Sequence, residues 1–255
     1  MAEQKTQEFK FPSELIDLPS LGKLYPEGSP LKEGKVEVKY MTAREEDILT
    51  SANLIKKGIV IDRLLDSLIL TKGVKSSELL LGDKNAIMIA ARILAYGKDY
   101  TVELRDPENG ELIQHTFDLS QLPYKELDKK LKVTDNNFEV KLPTSNTKIT
   151  VKLLTGNDET EIMEELKALE KVGTSREVTT RLKKCVTSVD GQTDQATINT
   201  FVENMLSRDS IFLREYLNDI APDIVMSQEV EFPGGERREV SIPMDITFFW
   251  PSAKL

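Results

Sequence analysis

Apolar residues along the chain recur at two spacings, one typical of strands and one typical of helices. Charged and apolar residues alternate through residues 36–41, and similar short runs occur at 100–104, 114–117, 138–142, 149–154 and 228–232. Alternation with a period of two predicts half-buried strands. Spacings of three and four residues predict helices in the apolar stripes at 48–55, 61–69, 87–94, 162–172, 182–186, 198–205 and 212–220. The pattern favours an α+β protein with small antiparallel sheets.

One order of elements occurs twice. The predicted strand at 36–41 leads into Thr42-x-x-Glu45, and the strand at 149–154 leads into Thr155-x-x-Asp158, 113 residues later. A threonine followed three residues on by an acid is typical of a capping box, in which each side chain bonds the other residue's backbone amide at a helix start. Both strands are therefore predicted to run into a helix.

The order of elements that follows these two helices is also repeated. Asp83 and Asp209, 126 residues apart, each open a further predicted helix that feeds a hairpin. The larger spacing indicates a modest insertion between the copies. We therefore predict two related, mostly helical lobes, each with small antiparallel hairpins. The predicted boundaries are an N-terminal arm at 1–34, a first lobe at 35–133 and a second lobe at 134–255.

The predicted arm is rich in proline and glycine, which interrupt helices and central strands. It also carries more apolar side chains than a solvated tail normally has. Two interpretations stay open: the arm packs on its own domain, or it docks as an extended peptide on a neighbouring subunit. For the second interpretation, the candidate partner-binding residues are Leu18, Pro19, Gly22, Tyr25 and Pro26.

The densest aromatic segment lies near the end of the chain, at Phe248, Phe249, Trp250 and Pro251. In one interpretation it closes the core of the second lobe as a last strand. In the other it anchors a partner protein, because aromatic side chains concentrate at interface hot spots. These four residues complete the set of candidate partner-binding residues.

Composition narrows the classes of protein. Of the 255 residues, 39% are hydrophobic and 30% charged, which indicates a folded chain. The net charge of −9 argues against a nucleic-acid partner, since phosphate binding normally needs a basic face. Residues 1–5 lack the apolar core of a signal peptide, and no run approaches the roughly 18 apolar residues of a membrane span. A single cysteine, Cys185, cannot form a disulfide within the chain. A cytoplasmic setting is predicted.

The chain lacks the usual patterns of catalytic and cofactor sites. Neither Gly-x-Gly-x-x-Gly nor Gly-Lys-Ser/Thr occurs. His115 is interpreted as an ordinary strand residue and Cys185 as a core thiol. A structural zinc site normally takes four Cys or His ligands, and the chain has two such residues in total. The acidic runs at 45–47 and 164–165 are interpreted as helix capping and solvated faces. We predict no enzyme, no cofactor and no metal site.

A series of short motifs runs along nearly the whole chain in a consistent order. The motifs are Leu18-Pro19-Ser20-x-Gly22-x-x-Tyr25-Pro26, the segments 41–49, 54–58, 81–86 and 94–97 with Tyr100, Arg208-Asp209-Ser210 with Leu213-Arg214, and Phe248-Phe249-Trp250-Pro251. This series resembles the baseplate hub proteins of T-even-type contractile-tailed phages. A series over the whole chain is more specific than any one of its short motifs.

The resemblance implies a non-enzymatic structural or assembly protein, made late in infection, that acts in baseplate hub formation. Its partners would be other phage tail proteins, namely the baseplate hub and the tape-measure protein, with no nucleic acid and no membrane. The alternative is a tail assembly chaperone that holds the hub or tape-measure protein and is absent from the mature virion. The implied location is the host cytoplasm during assembly and, for a structural component, the virion tail baseplate.

The chain departs from the family at its hairpin tips. Many relatives carry Cys-Pro-x-Cys-Gly knuckles there, whereas this chain has Asp106-Pro107-Glu108-Asn109-Gly110 at one tip and Pro233-Gly234-Gly235 at the other. The resemblance therefore implies tight turns at the tips where many relatives have metal-binding cysteines, and it does not imply a zinc site in this chain.

Overall fold

Small sheets and helices alternate along the chain. The computed structural model describes residues 11–106, 109–127, 135–171, 173–244 and 246–249. Within these ranges the strands are β1 Ser13–Asp17, β2 Lys35–Lys39, β3 Asp99–Arg105, β4 Leu112–Asp118, β5 Tyr124–Lys125, β6 Phe138–Lys141, β7 Lys148–Val151, β8 Val186–Val189, β9 Asp223–Ile224, β10 Ser227–Glu231 and β11 Arg237–Ser241. The α-helices are α1 Ala43–Leu49, α2 Ala52–Lys57, α3 Val60–Leu68, α4 Leu81–Tyr96, α5 Gly156–Lys171, α6 Glu177–Cys185, α7 Gln195–Glu203 and α8 Ser207–Ile220.

All of the sheets in the described ranges are small and antiparallel. Four are pairs, β1-β2, β3-β4, β5-β9 and β10-β11, and the fifth is the three-stranded β6-β7-β8. Helices together with small sheets that are all antiparallel in the described ranges confirm the predicted α+β class. The predicted capping box at Thr42 and Glu45 is also confirmed, since the reciprocal hydrogen bonds are present at the start of α1.

Part of the predicted N-terminal arm is a strand, β1, which the sequence pattern did not predict. β1 pairs with β2 over five residues, from Ser13 opposite Lys39 to Asp17 opposite Lys35. Pro12 and Pro19 flank the strand without interrupting it. A strand between two prolines is tolerated at a sheet edge, where a neighbouring strand is missing on one side.

Helix α4 lies at the centre of the fold. It contacts β1, β2, β9 and α3, and it buries residues on most of its circumference, including Ala86, Ile87 and Ile89. A helix that is apolar on nearly all sides is stable only when other elements surround it. The apolar run after Asp83 thus positions α4 as the element around which the neighbouring strands assemble.

The two halves of the chain share a core. Their buried hydrophobic side chains form one contiguous cluster, and Tyr124 of β5 pairs with Ile224 of β9. Gly82 in α4 approaches Pro222 so closely that a Cβ at this glycine would lie 1.9 Å from the Pro222 carbonyl oxygen. The predicted lobe boundary at 134 adjoins residues 128–134, which lie outside the described residues, and it stays a prediction.

Candidate protein-interaction site

The segment from Leu18 to Pro26 folds into a tight series of turns next to β1. The Leu18 amide donates to the Gly34 carbonyl at 2.8 Å, and the Leu21 amide donates to the Leu18 carbonyl at 2.8 Å. Gly22 has a positive φ of 73°, and a Cβ there would lie 2.3 Å from the Lys32 carbonyl oxygen. Only glycine fits this position without moving backbone atoms.

Asp83 ties this segment to the start of α4. The Ser20 amide donates to Asp83 Oδ1 at 2.9 Å, and the Ser20 hydroxyl donates to Oδ2 at 2.6 Å. The Tyr25 hydroxyl also donates to Oδ2, at 2.6 Å, and accepts the Leu80 amide at 2.9 Å. One buried carboxylate therefore organises a turn that lies about sixty residues earlier in the chain. We call Asp83, Ser20 and Tyr25 the Asp83 cluster.

Burial dominates the electrostatics of the Asp83 cluster. It raises the pKa of Asp83, and the hydrogen bonds from Ser20 and Tyr25 offset only part of that rise. Burial and the neighbouring Asp83 carboxylate also raise the pKa of Tyr25 far above the ordinary value for tyrosine. Tyr25 therefore stays protonated at neutral pH, so its hydroxyl remains a donor to Asp83.

Most of the candidate residues of the arm face the chain's own core. Leu18 and Tyr25 are buried, as are Pro19 and Gly22, whereas Pro26 is exposed. This burial agrees with the interpretation in which the arm packs on its own domain, and contact of these residues with a partner stays a prediction. The exposed apolar side chains nearby, which were not among the candidate partner-binding residues, are Phe11, Leu15 and Leu21.

The terminal aromatic segment also packs inward. Phe248 and Phe249 are buried in a 3-10 helix at Ile246–Phe249, so the predicted last strand is wrong. The ring of Phe248 meets the ring of Tyr100 edge to face, with centroids 5.0 Å apart. The Arg92 guanidinium lies over both rings, 6.0 Å from the Phe248 centroid and 5.6 Å from that of Tyr100.

The aromatic segment therefore packs on α4 and β3 of the first half, whereas one of the two interpretations of the sequence placed it in the core of the second lobe. A sequence pattern identifies such rings as apolar, and it does not identify the distant surface that they cover. Binding of a partner by Phe248 and Phe249 stays a prediction. Trp250 and Pro251 lie outside the described residues.

A buried ion pair stands at the start of α1. Glu45 accepts four hydrogen bonds: from Lys39 Nζ at 2.8 Å, from the Ser67 hydroxyl at 2.6 Å, and from the Thr42 amide at 2.9 Å and hydroxyl at 2.6 Å. Burial alone would raise the pKa of Glu45, but these donors outweigh it and hold the pKa at about 2. We call these four residues the Glu45 cluster.

A matching ion pair stands at the start of α5. Asp158 accepts from Lys152 Nζ at 2.6 Å, and from the Thr155 amide at 2.9 Å and hydroxyl at 2.8 Å. Its own amide donates to the Thr155 hydroxyl at 3.4 Å, which completes the predicted capping box. Burial would raise the pKa of Asp158, and the donors lower it overall. Lysine, threonine and acid thus recur at intervals of three, 113 residues after the Glu45 cluster.

Asp209, the third residue of α8, binds a turn in the same way as Asp83, the third residue of α4. Asp209 is buried and accepts the Thr144 amide at 2.8 Å and the Ser145 amide at 3.0 Å. Thr144 follows Leu142-Pro143, just as Ser20 in the Asp83 cluster follows Leu18-Pro19. The repeated Leu-Pro-Ser/Thr was the sequence signal that would have identified these turn partners.

The described residues offer little that resembles a chemical site. They contain no group of three or more His, Cys, Asp or Glu side chains arranged for a metal ion. His115 packs edge to face on Phe117, with ring centroids 4.6 Å apart. Cys185 is buried, and burial raises the pKa of its thiol to about 12, which leaves it a poor nucleophile at neutral pH.

The hairpin tips are closed by backbone hydrogen bonds. At the first tip the Gly110 amide donates to the Asp106 carbonyl at 2.9 Å, and at the second the Phe232 amide donates to the Glu236 carbonyl at 2.8 Å. In the described part of the chain, no helix has the length and apolar character needed to cross a bilayer.

Comparison with known proteins identifies the family. The model of a family described as T4 bacteriophage base plate protein matches residues 13–250. The chain belongs to this family. The match covers the Asp83 cluster, both ion pairs and the buried Phe248 and Phe249, and it confirms the resemblance at the level of a T4-type phage baseplate protein. No curated protein and no solved structure matches the chain.

Proposed function

We propose that this baseplate protein is a structural component of the baseplate hub of a contractile phage tail, and that it acts through protein–protein contacts without catalysing a reaction. The observation that carries this proposal is the family match over residues 13–250. The inferred partners are the other hub proteins and the tape-measure protein. The inferred sites of action are the host cytoplasm during assembly and then the tail baseplate.

The same proposal includes an internal duplication of the chain. Its support is the recurrence of whole hydrogen-bonded arrangements at similar spacing. The Glu45 cluster and the Asp158 pair each join a strand end to a helix start, and Asp83 and Asp209 each hold the turn after a Leu-Pro dipeptide. Capping alone is a local device, whereas the turns bound by Asp83 and Asp209 are distant in sequence. Two related lobes would give a hub subunit two similar faces for its neighbours.

A disrupted gene tests the role in the tail. In phage lacking this chain, electron microscopy of infected-cell lysates is expected to show no complete baseplates, and a plasmid copy of the gene is expected to restore them. A copy carrying Val178→Lys, a change at an exposed valine of α6, serves as the folded control and should restore baseplates as well. Normal tails in the absence of the gene would refute the proposal.

A tagged chain tests the inferred partners. Tail proteins should copurify with the full chain from infected cells, and quantification against the same tag on an unrelated protein separates them from background. A truncated chain lacking residues 1–10 tests the contribution of the extreme N-terminus and leaves β1 intact. Removal of residues 1–34 is unsuitable, because it deletes β1 and the buried Leu18 and Tyr25. Recovery of host proteins alone would contradict the proposed partners.

The alternative function, a tail assembly chaperone, shares the same family and the same partners. The exposed apolar side chains of Met163, Leu206 and Ile211 on or beside α5 and α8 favour it, since a chaperone covers apolar surfaces of its client until assembly. A chaperone would also be needed for complete baseplates, so the two functions are separated by whether the chain remains in finished particles.

A further inference from the structure

An apolar groove of about 610 Å³ runs beside β1. Leu15 and Ile16 of β1 contribute to one wall, Ala86, Ile89 and Ala90 of α4 contribute apolar side chains, and Tyr124 of β5 lies in a further wall. Leu15 is 67% exposed, the largest exposure among the large hydrophobic residues described. An exposed apolar surface of this kind is typical of an interaction site.

Within the residues that the structure describes, β1 pairs with β2 alone and its other edge is free. The Tyr40 amide donates to the Pro12 carbonyl and the Leu18 amide donates to the Gly34 carbonyl, and antiparallel pairs alternate between bonded and non-bonded positions. In the register of β1 and β2, Glu14 and Ile16 therefore bond to β2. The N–H and C=O groups of the three alternate residues, Ser13, Leu15 and Asp17, point away from β2.

A second edge, that of β5, borders the same groove and has no partner strand other than β9 in the described part of the chain. The Val225 amide donates to the Pro123 carbonyl at 2.9 Å, which makes Tyr124 opposite Ile224 a non-bonded pair in the β5-β9 sheet. The backbone groups of Tyr124 therefore point away from β9. Free edges of this kind are the positions at which an extended peptide adds to a sheet as a further strand.

The charges around the groove favour a cationic ligand. Among its described lining residues the carboxylates are Asp17 and Glu126, and none is Lys, Arg or His. Asp17 pairs with Lys35 at 3.1 Å, with both side chains more than half exposed, and such a pair exchanges readily for another cation. Burial raises the pKa of Tyr124, and the carboxylates of Asp17 and Asp83 raise it further, which indicates a negative potential here.

We propose that this groove binds an extended segment of another protein, apolar on alternate residues and carrying a lysine or arginine, that adds as a strand to the free edge of β1. The alternate apolar side chains would cover Ala86, Ile89 and Ala90, and the cation would lie near Asp17. Pro19 is the next residue after Asp17 in the outward-facing series and has no N–H to donate, which limits the segment to about five paired residues along β1. The proposal rests on this geometry and does not depend on the proposed function.

Residue-resolved amide exchange tests strand addition directly. The probe is a synthetic peptide of about seven residues that alternates valine and threonine and ends in lysine, added to the ¹⁵N-labelled full chain. At saturation the amides of Ser13, Leu15 and Asp17 should exchange at least about tenfold more slowly, while those of Glu14 and Ile16 stay unchanged. Binding without this alternation, or no binding at millimolar peptide, would overturn the proposal.

Two pairs of variants test the groove and its charge. Ala90→Phe fills the groove and should abolish peptide binding, while Ala52→Phe at an exposed position of α2 should leave it unchanged. Leu15→Lys should weaken binding at least about tenfold, and Leu206→Lys should not. If Ala90→Phe lowers the unfolding midpoint, its loss of binding could come from misfolding, and the Leu15→Lys variant then decides whether the groove binds the peptide. Equal effects in both members of each pair would refute the site.

A glutamate-ended peptide and the free protein complete the test. The lysine-ended peptide should bind more tightly than the glutamate-ended one, with a difference that shrinks at high salt; equal affinity would contradict the charge argument. Protection of Ser13, Leu15 and Asp17 that grows with protein concentration in the absence of peptide would show that a second copy of this chain occupies the edge. That result would overturn the proposed partner.

Discussion

The Glu45 cluster gives the sharpest stability prediction. Glu45 is completely buried, and its partner Lys39 has a side chain that is only 9% exposed. Glu45→Gln preserves the shape of the side chain, but its amide nitrogen must face the Thr42 amide or the Lys39 ammonium, and neither of these can accept a hydrogen bond. The change also leaves a buried ammonium without its counter-charge, which costs about 3–5 kcal/mol.

The Asp158 pair provides a matched control. Its partner Lys152 has a side chain that is 31% exposed, so the ammonium turns to water when the carboxylate is lost. Asp158→Asn should therefore cost only about 1–2 kcal/mol. Both substitutions replace a carboxylate by an amide at the equivalent position of the two repeated strand-to-helix junctions. The main difference between the two sites is how deeply the partner lysine is buried.

Urea unfolding followed by circular dichroism measures both costs, with melting temperatures as a second readout. Glu45→Gln should lower the melting temperature by about 6–20 °C, from 2–4 °C per kcal/mol for a chain of this size. Lys39→Met added to Glu45→Gln should recover part of the loss, because it removes the unpaired charge. Equal costs for Glu45→Gln and Asp158→Asn, or no recovery in the double variant, would refute this reasoning.

Three further outcomes follow from the described contacts. Gly22→Ala should lower the free energy of unfolding in urea by at least about 3 kcal/mol, because strain at positive φ adds to a backbone clash. Gly28→Ala, with open space around it, should lower it by about 1 kcal/mol, and equal costs would contradict the packing at Gly22. Phe248→Ala should cost about 3–5 kcal/mol by the same assay, and a loss below about 1 kcal/mol would place this ring outside the core. The Glu45 carboxylate, with a pKa of about 2 against an ordinary 4.5, stabilises the fold above pH 4.5 and loses this contribution as pH falls toward 2. The difference in unfolding free energy between wild type and Glu45→Gln should therefore narrow over that range, and a difference independent of pH would refute this role of the carboxylate.

Local signals in the sequence predicted local structure well. The capping boxes at Thr42 and Thr155 place the starts of α1 and α5 because a capping box is completed within four residues. The apolar run after Asp83 likewise predicted α4, although the helix begins two residues earlier, at Leu81.

The features that the sequence did not predict depend on distant partners. β1 lies between two prolines and is a strand only because β2, some twenty residues later, pairs with it. The partners of Asp83 lie far back in the arm, and Phe248 packs on the ring of Tyr100 in the first half. Lys39 and Lys152 fit the alternating pattern of solvated strand residues, yet they are the counter-ions of the two buried acids.

Quantitative mass spectrometry of purified virions tests the proposed hub role most directly. The account predicts peptides of this chain in purified particles, at a fixed ratio to the other baseplate proteins, and their retention after the tails are separated from the heads. Abundant peptides in infected cells with none in purified virions would contradict a structural hub component and establish the assembly chaperone instead.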